Sequence, residues 1–250
     1  MIPSRGGPAP SIHVFAPRAQ LRIPQLASLT QTPHAQRTHH DRYTGLRTDL
    51  APPTHGEQTY PETMSDIIIP GIGSLEPAPA LDHLDLLAPP VAAALTALAE
   101  RGVATASSAL VVAIDPELAD TEVMTREFGM DLALSSNCIL VAGKRAGEER
   151  IAACVVRATT NADVNHVVKK RLDVRKASFW PQERAVEASG MEYGGITPVG
   201  VPGSWRLLID SACSVGWSCI GSGQRRSKLF VTGEVLAALP GAEIVEGLGV

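Results

Sequence analysis

No apolar run in this chain reaches the roughly 18 residues that a membrane-spanning helix needs. Nor is there a global excess of basic residues. The net charge is −4 over 250 residues, so any contact with nucleic acid must be local. The four cysteines, Cys138, Cys154, Cys213 and Cys219, form no C-x-x-C pair. No histidine stands at zinc-ligand spacing from them, which argues against a metal site. Their apolar neighbours suggest buried, reduced thiols and a cytoplasmic protein. Gly-x-Ser-x-Gly, Walker A and His-Glu-x-x-His motifs are all missing. Five of the seven histidines fall in the first 63 residues. A His-dependent serine or cysteine triad is therefore hard to build from His83 and His166, which read as surface or helix-face residues. What is left is chemistry by backbone amides, hydroxyls, carboxylates or bound water.

Residues 1–63 are rich in Pro, Thr, Gln, Arg and His and carry no hydrophobic period. Such a segment buries too little apolar area to offset its ordering entropy, so it reads as a disordered extension. Met64 is the expected true start. His39-His40-Asp41 reads as a solvated polar run rather than a ligand set. Residues 64–104 read as a linker followed by a helix. Leu81, Leu84, Leu87, Val91, Leu95 and Leu98 recur at three or four, with a break at Pro89-Pro90 and a cap at Gly102.

Residues 105–250 read as the main domain. Strands are expected over 109–114, 137–142, 150–158, 205–209, 213–220, 229–232 and 243–245. The second and third form a hairpin across the charged turn 144–149. Asp115-Pro116 opens a helix that stops at Gly129. Further helices are expected from Asp163 to Leu172, over 181–189 and over 234–239. Without regular βαβ alternation, these elements argue for an α+β fold with a mixed, mostly antiparallel sheet flanked by helices.

The densest local signal is Gly190-Met191-Glu192-Tyr193-Gly194-Gly195-Ile196-Thr197-Pro198-Val199-Gly200. Adjacent glycines permit positive φ and close approach, and Pro198 stiffens the end of the stretch. The expected result is a rigid loop with bare N–H groups able to hold an anionic or carbonyl oxygen. The same composition also suits an ordinary tight turn. Asp210 ends an apolar strand, where it either serves a site or caps a turn. Two basic sets, Lys169 to Arg175 and Arg225, Arg226 and Lys228, flank the glycine loop and could meet phosphates.

Taken in order, these pieces resemble the YbaK / prolyl-tRNA synthetase-associated (INS-type) editing domain. The carriers are Phe128-Gly129, Asn137-Cys138-Ile139-Leu140-Val141, Leu172-Asp173-Val174-Arg175-Lys176, Gly194-Gly195-Ile196-Thr197-Pro198-Val199-Gly200, Leu207-Leu208-Ile209-Asp210 and Gly221-Ser222-Gly223-Gln224-Arg225-Arg226. The resemblance covers about residues 105–248. It implies an aminoacyl-tRNA deacylase that needs no metal or other cofactor. The partners it implies are the acceptor end of a mischarged tRNA and an aminoacyl-tRNA synthetase, with neither membrane nor DNA involved. Carried over position by position, Gly194, Gly195, Thr197, Asp210 and Asn137 are the expected catalytic residues. Met191, Pro198, Gly200, Gly221, Gly223, Arg225, Arg226 and Lys228 are the expected substrate-binding residues. One departure stands out. Many members carry a functional lysine at the start of the strand where this chain has Asn137, which supplies donors but no charge. Either the neutral group keeps binding, or another cation such as Lys144 or Lys228 substitutes, or deacylation is lost and the chain is a non-catalytic aminoacyl- or nucleotide-binding module. Hydrolysis of a small acylated metabolite is the third reading.

Overall fold

The computed structural model describes residues 67–250; the expected extension over 1–63 and the start at Met64 lie outside them. The strands are β1 (Ala78–Pro79), β2 (Leu110–Ala113), β3 (Ser136–Arg145), β4 (Glu148–Arg157), β5 (Ala177–Phe179), β6 (Arg206–Asp210), β7 (Trp217–Gly221), β8 (Ser227–Thr232) and β9 (Ala242–Val245). The helices are α1 (Pro89–Glu100), α2 (Thr121–Phe128), α3 (Lys169–Leu172), α4 (Gln182–Ser189) and α5 (Gly233–Ala238).

The strands form two sheets rather than one. One sheet has the order β1-β2-β8-β7 and is antiparallel throughout. The other has the order β5-β3-β4-β6-β9, with β4, β6 and β9 parallel and the remaining pairs antiparallel. A parallel bridge between Ser135 and Cys219 joins them. The architecture is α+β with mostly antiparallel pairing and helices on the flanks.

β4 explains why five strands need cover on both faces. Its Ile-Ala-Ala-Cys-Val-Val run does not alternate with polar residues, as expected of a strand buried on both sides. Ala153 and Val155 join Leu207 and Ile209 in the main core. Ala152, Cys154 and Val156 face the other way and pack with Leu208, Val168 and Leu172. The β3–β4 hairpin is longer than the sequence suggests, because pairing runs to Arg145 opposite Glu148. Only Ala146 and Gly147 turn the chain, both at positive φ (51° and 89°), the geometry of the two-residue turns that suit twisted strands.

The N-terminal segment is not a linker. Ile69 and Leu75 are buried in a second core with Leu110, Met124 and Phe230. α1 begins at Pro89 itself, since proline at the first helical positions forfeits no hydrogen bond. Its buried stripe is Val91, Leu95 and Leu98. Elsewhere the expected helices shorten. The stretch after Asp115 is a 3-10 turn (Pro116–Leu118) followed by α2. The helix from Asp163 opens as a π turn over Val164–Val168 before α3. The expected strand over 213–220 splits into a 3-10 turn (Ser211–Ser214) and β7.

Arg157, the last residue of β4, ties the two sheets together. Its guanidinium donates to the carbonyl oxygens of Ala212 (2.9 Å), Val215 (2.9 Å) and Trp217 (2.9 Å) and to the Ser218 hydroxyl (3.0 Å). A planar fork with five donors can serve this spread of acceptors, and an ammonium cannot. Arg157→Lys should therefore lower unfolding stability by about 2 kcal/mol, read from denaturant midpoints at an unchanged m-value. A midpoint within error of the parent would show that the network contributes nothing net.

Candidate functional site

A cavity of about 530 Å³ opens where the two sheets meet, walled by the N-terminus of α2, the start of β3, the residues after β5, the glycine loop and the β7–β8 pair. Met124, Ile139, Leu140, Trp180, Ile196 and Ile220 form its apolar part. Trp180 is held edge-on against Trp205, with ring centroids 5.2 Å apart. Two aromatic side chains at the rim, Phe179 and Tyr193, are 70% and 58% exposed.

Polar groups share this wall with the apolar ones. Lys228 reaches in from β8. It is 7% exposed, and its Nζ donates to the Ala119 carbonyl oxygen at 2.6 Å. Burial holds its pKa below the usual lysine range, and the neighbouring Arg225 adds to the lowering while Asp120 opposes it. Asn137 enters from β3. Its Oδ1 accepts from the Thr121 hydroxyl at 3.3 Å, and its amide N–H donors have no partner among the described residues. The Ser135 hydroxyl is buried in the same wall without a hydrogen-bond partner. Asp120 is the single carboxylate among the lining residues and accepts from the Arg225 guanidinium at 3.2 Å. Cys219 also lines the cavity, but burial pushes its thiol up to about 12. It is not a thiolate nucleophile near neutral pH.

The glycine loop is organised by another backbone. The Gly195 N–H is not bare: it donates to the Glu192 carbonyl oxygen at 2.9 Å. The Gly195 carbonyl oxygen accepts from Gly223 N–H at 2.8 Å, and Glu192 N–H donates back to the Gly223 carbonyl oxygen at 2.9 Å. A Cβ on Gly195 would meet the Gln224 backbone at 2.7 Å, and a Cβ on Gly221 would meet the Gly195 carbonyl. Gly194, at φ +79°, is exposed on the cavity side.

Of the residues singled out from sequence, Asn137, Gly194, Gly221 and Lys228 line this cavity. Gly195 supports it from behind. Thr197 is fully buried and Pro198 is buried behind the loop. Met191 is a core residue, and the missing side chains of Gly200 and Gly223 admit the start of α1. Arg225 meets the cavity only through Asp120, whereas Arg226 turns away to the Asp85 carbonyl oxygen (2.7 Å). Asp210 is not brought to the cavity. Its two oxygens accept from the Ala212 and Gly249 N–H groups, both at 2.8 Å, which caps the turn after β6 and fastens the C-terminal segment. Sequence reading missed Asp120, Thr121, Ser135 and Trp180. No local pattern marks them, because sheet-to-sheet contact alone gathers them. Among the described residues no group of three or more His, Cys, Asp or Glu is placed to hold a metal, and no helix is long and apolar enough to cross a membrane.

Fold and cavity define an α+β domain with a pocket of mixed apolar and polar lining, a buried cation, and amide and hydroxyl donors that have no partner among the described residues. The sequence model of the aminoacyl-tRNA editing domain matches residues 103–239, more than half of the chain. The chain belongs to that family. Its fold is similar to that of a protein put forward as a trans-editing enzyme for prolyl tRNA synthetase: TM-score 0.52, 19% identity, covering 64% of this chain and 97% of that one. It is likewise similar to a scaffold used for epitope backbone grafting: TM-score 0.51, 18% identity, covering 66% of this chain and 99% of that one. No curated protein sequence matches.

The depressed pKa of Lys228 makes a stability prediction. Where the native lysine has lost its proton and the unfolded chain has not, the unfolded state binds more protons, so stability rises with pH. Below that window the folded state carries the full cost of a desolvated ammonium. Lys228→Met, compared with the parent by denaturant unfolding, should therefore show a stability difference that moves in favour of the parent as pH rises toward the ordinary lysine value of 10.5. A difference independent of pH would mean that the lysine titrates normally.

Proposed function

We propose that the chain is a free-standing aminoacyl-tRNA deacylase that hydrolyses a mischarged aminoacyl-tRNA in trans. The observation that carries this reading is Lys228, a buried cation that lines the same cavity as Asn137 and can supply the charge that Asn137 lacks. In such a reaction water adds to the ester carbonyl, the oxygen becomes an oxyanion, and the ribose oxygen leaves with a proton. Fixed donors aimed at the developing charge are the main protein contribution to this step. Lys228 has one N–H committed to Ala119 and others available. The amide of Asn137 and the hydroxyl of Ser135 add neutral donors in the same wall. Asp120 is the natural counter-ion for the substrate α-ammonium group. The apolar remainder of the cavity favours a neutral amino-acid side chain. Gly194 forms the mouth, while Gly195, Thr197, Pro198 and Gly221 hold the loop in place. In this reading Asp210 stabilises the domain and takes no part in the chemistry.

The test is single-turnover deacylation of alanyl-, cysteinyl- and seryl-tRNA-Pro. Lys228→Met and Asn137→Ala should each slow the step by about a hundredfold, the usual loss on removing one oxyanion donor. Asp210→Asn should retain the rate and lose stability instead. Turnover in Lys228→Met equal to the parent would sink the assignment of the cation. Absence of turnover on every substrate with tRNA binding intact would favour a binding module.

A further inference from the structure

A second groove of about 550 Å³ runs beside the cavity and shares Phe179 and Trp180 with it. Its other walls come from the end of β3, the segment leading into β5, and the first turn of α4. It is basic for a structural reason. Gly143 has no side chain, so residues Val174 to Lys176 cross directly over β3, where a Cβ would meet the Lys176 carbonyl oxygen at 2.5 Å. That crossing lays Arg175 and Lys176 alongside Lys144. All three are exposed and line the groove, and none makes an ion pair among the described residues. The one carboxylate in the lining, Glu149, is already taken by Arg184 in a two-pronged pair. That pair holds Glu149 below the usual carboxylate range, with Lys144 adding to the effect. Arg184 in turn sits over the Trp180 ring, 5.1 Å from its centroid. The groove lining thus sets four cations, Lys144, Arg175, Lys176 and Arg184, against one carboxylate. At the boundary with the cavity stands Phe179, on an edge strand and 70% exposed.

We propose that this groove binds the single-stranded 3′ end of the RNA whose terminal ester enters the cavity, with phosphates on Lys144, Arg175 and Lys176 and a base stacked on Phe179. The proposal rests on the deacylase reading for the direction of the strand. The chemistry is that of sequence-tolerant single-strand binding, a positive track with an aromatic platform. The shared wall places the platform where the chain must pass from groove to cavity.

The test uses the full chain and a 5′-fluorescein-labelled single-stranded RNA of about six nucleotides with a free 3′ hydroxyl, a length matched to a short binding track. Removing three phosphate contacts with Lys144→Ala, Arg175→Ala and Lys176→Ala together should flatten the plot of log affinity against log salt by about two units. Phe179→Ala should weaken binding about tenfold or more through lost stacking. The triple variant should raise KM for a mischarged tRNA and leave turnover of an aminoacyl-adenosine ester unchanged. An unaltered salt slope in the triple variant would overturn the groove. A poly-glutamate peptide that binds equally well and responds equally to Phe179→Ala would overturn RNA in favour of an acidic protein. RNA binding that falls as expected, in a protein that hydrolyses no aminoacyl ester, would leave the groove standing and remove the deacylase reading.

Discussion

Two stretches of main chain cross with no side chain between them, and the cavity depends on that crossing. Gly195 lies against the backbone of Gln224, and Gly221 lies against the carbonyl of Gly195. The contact is reinforced by the Gly223 N–H on the Gly195 carbonyl oxygen and by Glu192, whose carboxylate accepts from Arg225 N–H at 2.6 Å. Any side chain at 195 or 221 would push the glycine loop off the β7–β8 turn. The same turn is pinned from its far side by α1, where Ala88 N–H donates to the Ser222 carbonyl oxygen at 3.0 Å. The glycines therefore work mainly as spacers, and their value to a ligand is indirect: they set how near Gly194 and Ile196 stand to Lys228 and Asn137.

A lysine buried this deeply is costly unless its environment compensates. Here the compensation is partial. One carbonyl oxygen accepts from Nζ, and Asp120 lies near enough to raise the pKa while Arg225 works against it. A site whose cation is under-satisfied is suited to a ligand that brings negative charge only as it reacts, since the interaction then strengthens in the transition state more than in the ground state. The buried thiol of Cys219 is kept protonated by its burial. Asn137 of β3 brings no charge to the cavity, and Lys228 of β8 lines the same cavity with a cation.

Much of the fold could be read from the chain because its signals are local. Asp163 as a cap, Gly129 and Gly190 as positive-φ stops, the apolar spacing of α1 and the unbroken β4 run each state their role within a few residues. β1 and β5 escaped notice because strands of two and three residues exist only by pairing with a neighbour far along the chain. The division into two sheets is equally non-local, since it rests on pairings between strands far apart in the chain, β2 with β8 and β4 with β6. The cavity shares that limitation. Lys228 was visible only as one of three cations in a basic turn, and nothing nearby distinguishes it from Arg226, which points away. Strand alternation does so: Lys228 is paired with Val112 and Gly221 inside the sheet, whereas Arg226 precedes β8 and hydrogen-bonds to Gln224 and Asp85. Asp210 had two readings from sequence, and its hydrogen bonds match the turn-capping one.

The two cations that matter most are treated in opposite ways. Arg157 is surrounded by carbonyl oxygens and is fully engaged in holding sheet to sheet, so its charge is unavailable to a ligand. Lys228 keeps donors in reserve. The difference lies in what each element can offer. The end of β4 is surrounded by the carbonyl oxygens of Ala212, Val215 and Trp217, whereas β8 delivers Lys228 to a wall whose apolar part includes Met124, Ile139, Ile196, Ile220 and Trp180. A cation in polar surroundings becomes structure, and a cation in apolar surroundings with one carbonyl partner is left able to act. That contrast separates the sheet junction's scaffold from its pocket, although the two are built from neighbouring residues, Ser135 in the pocket wall and Ser136 within reach of both Cys213 and Ser218 in the scaffold.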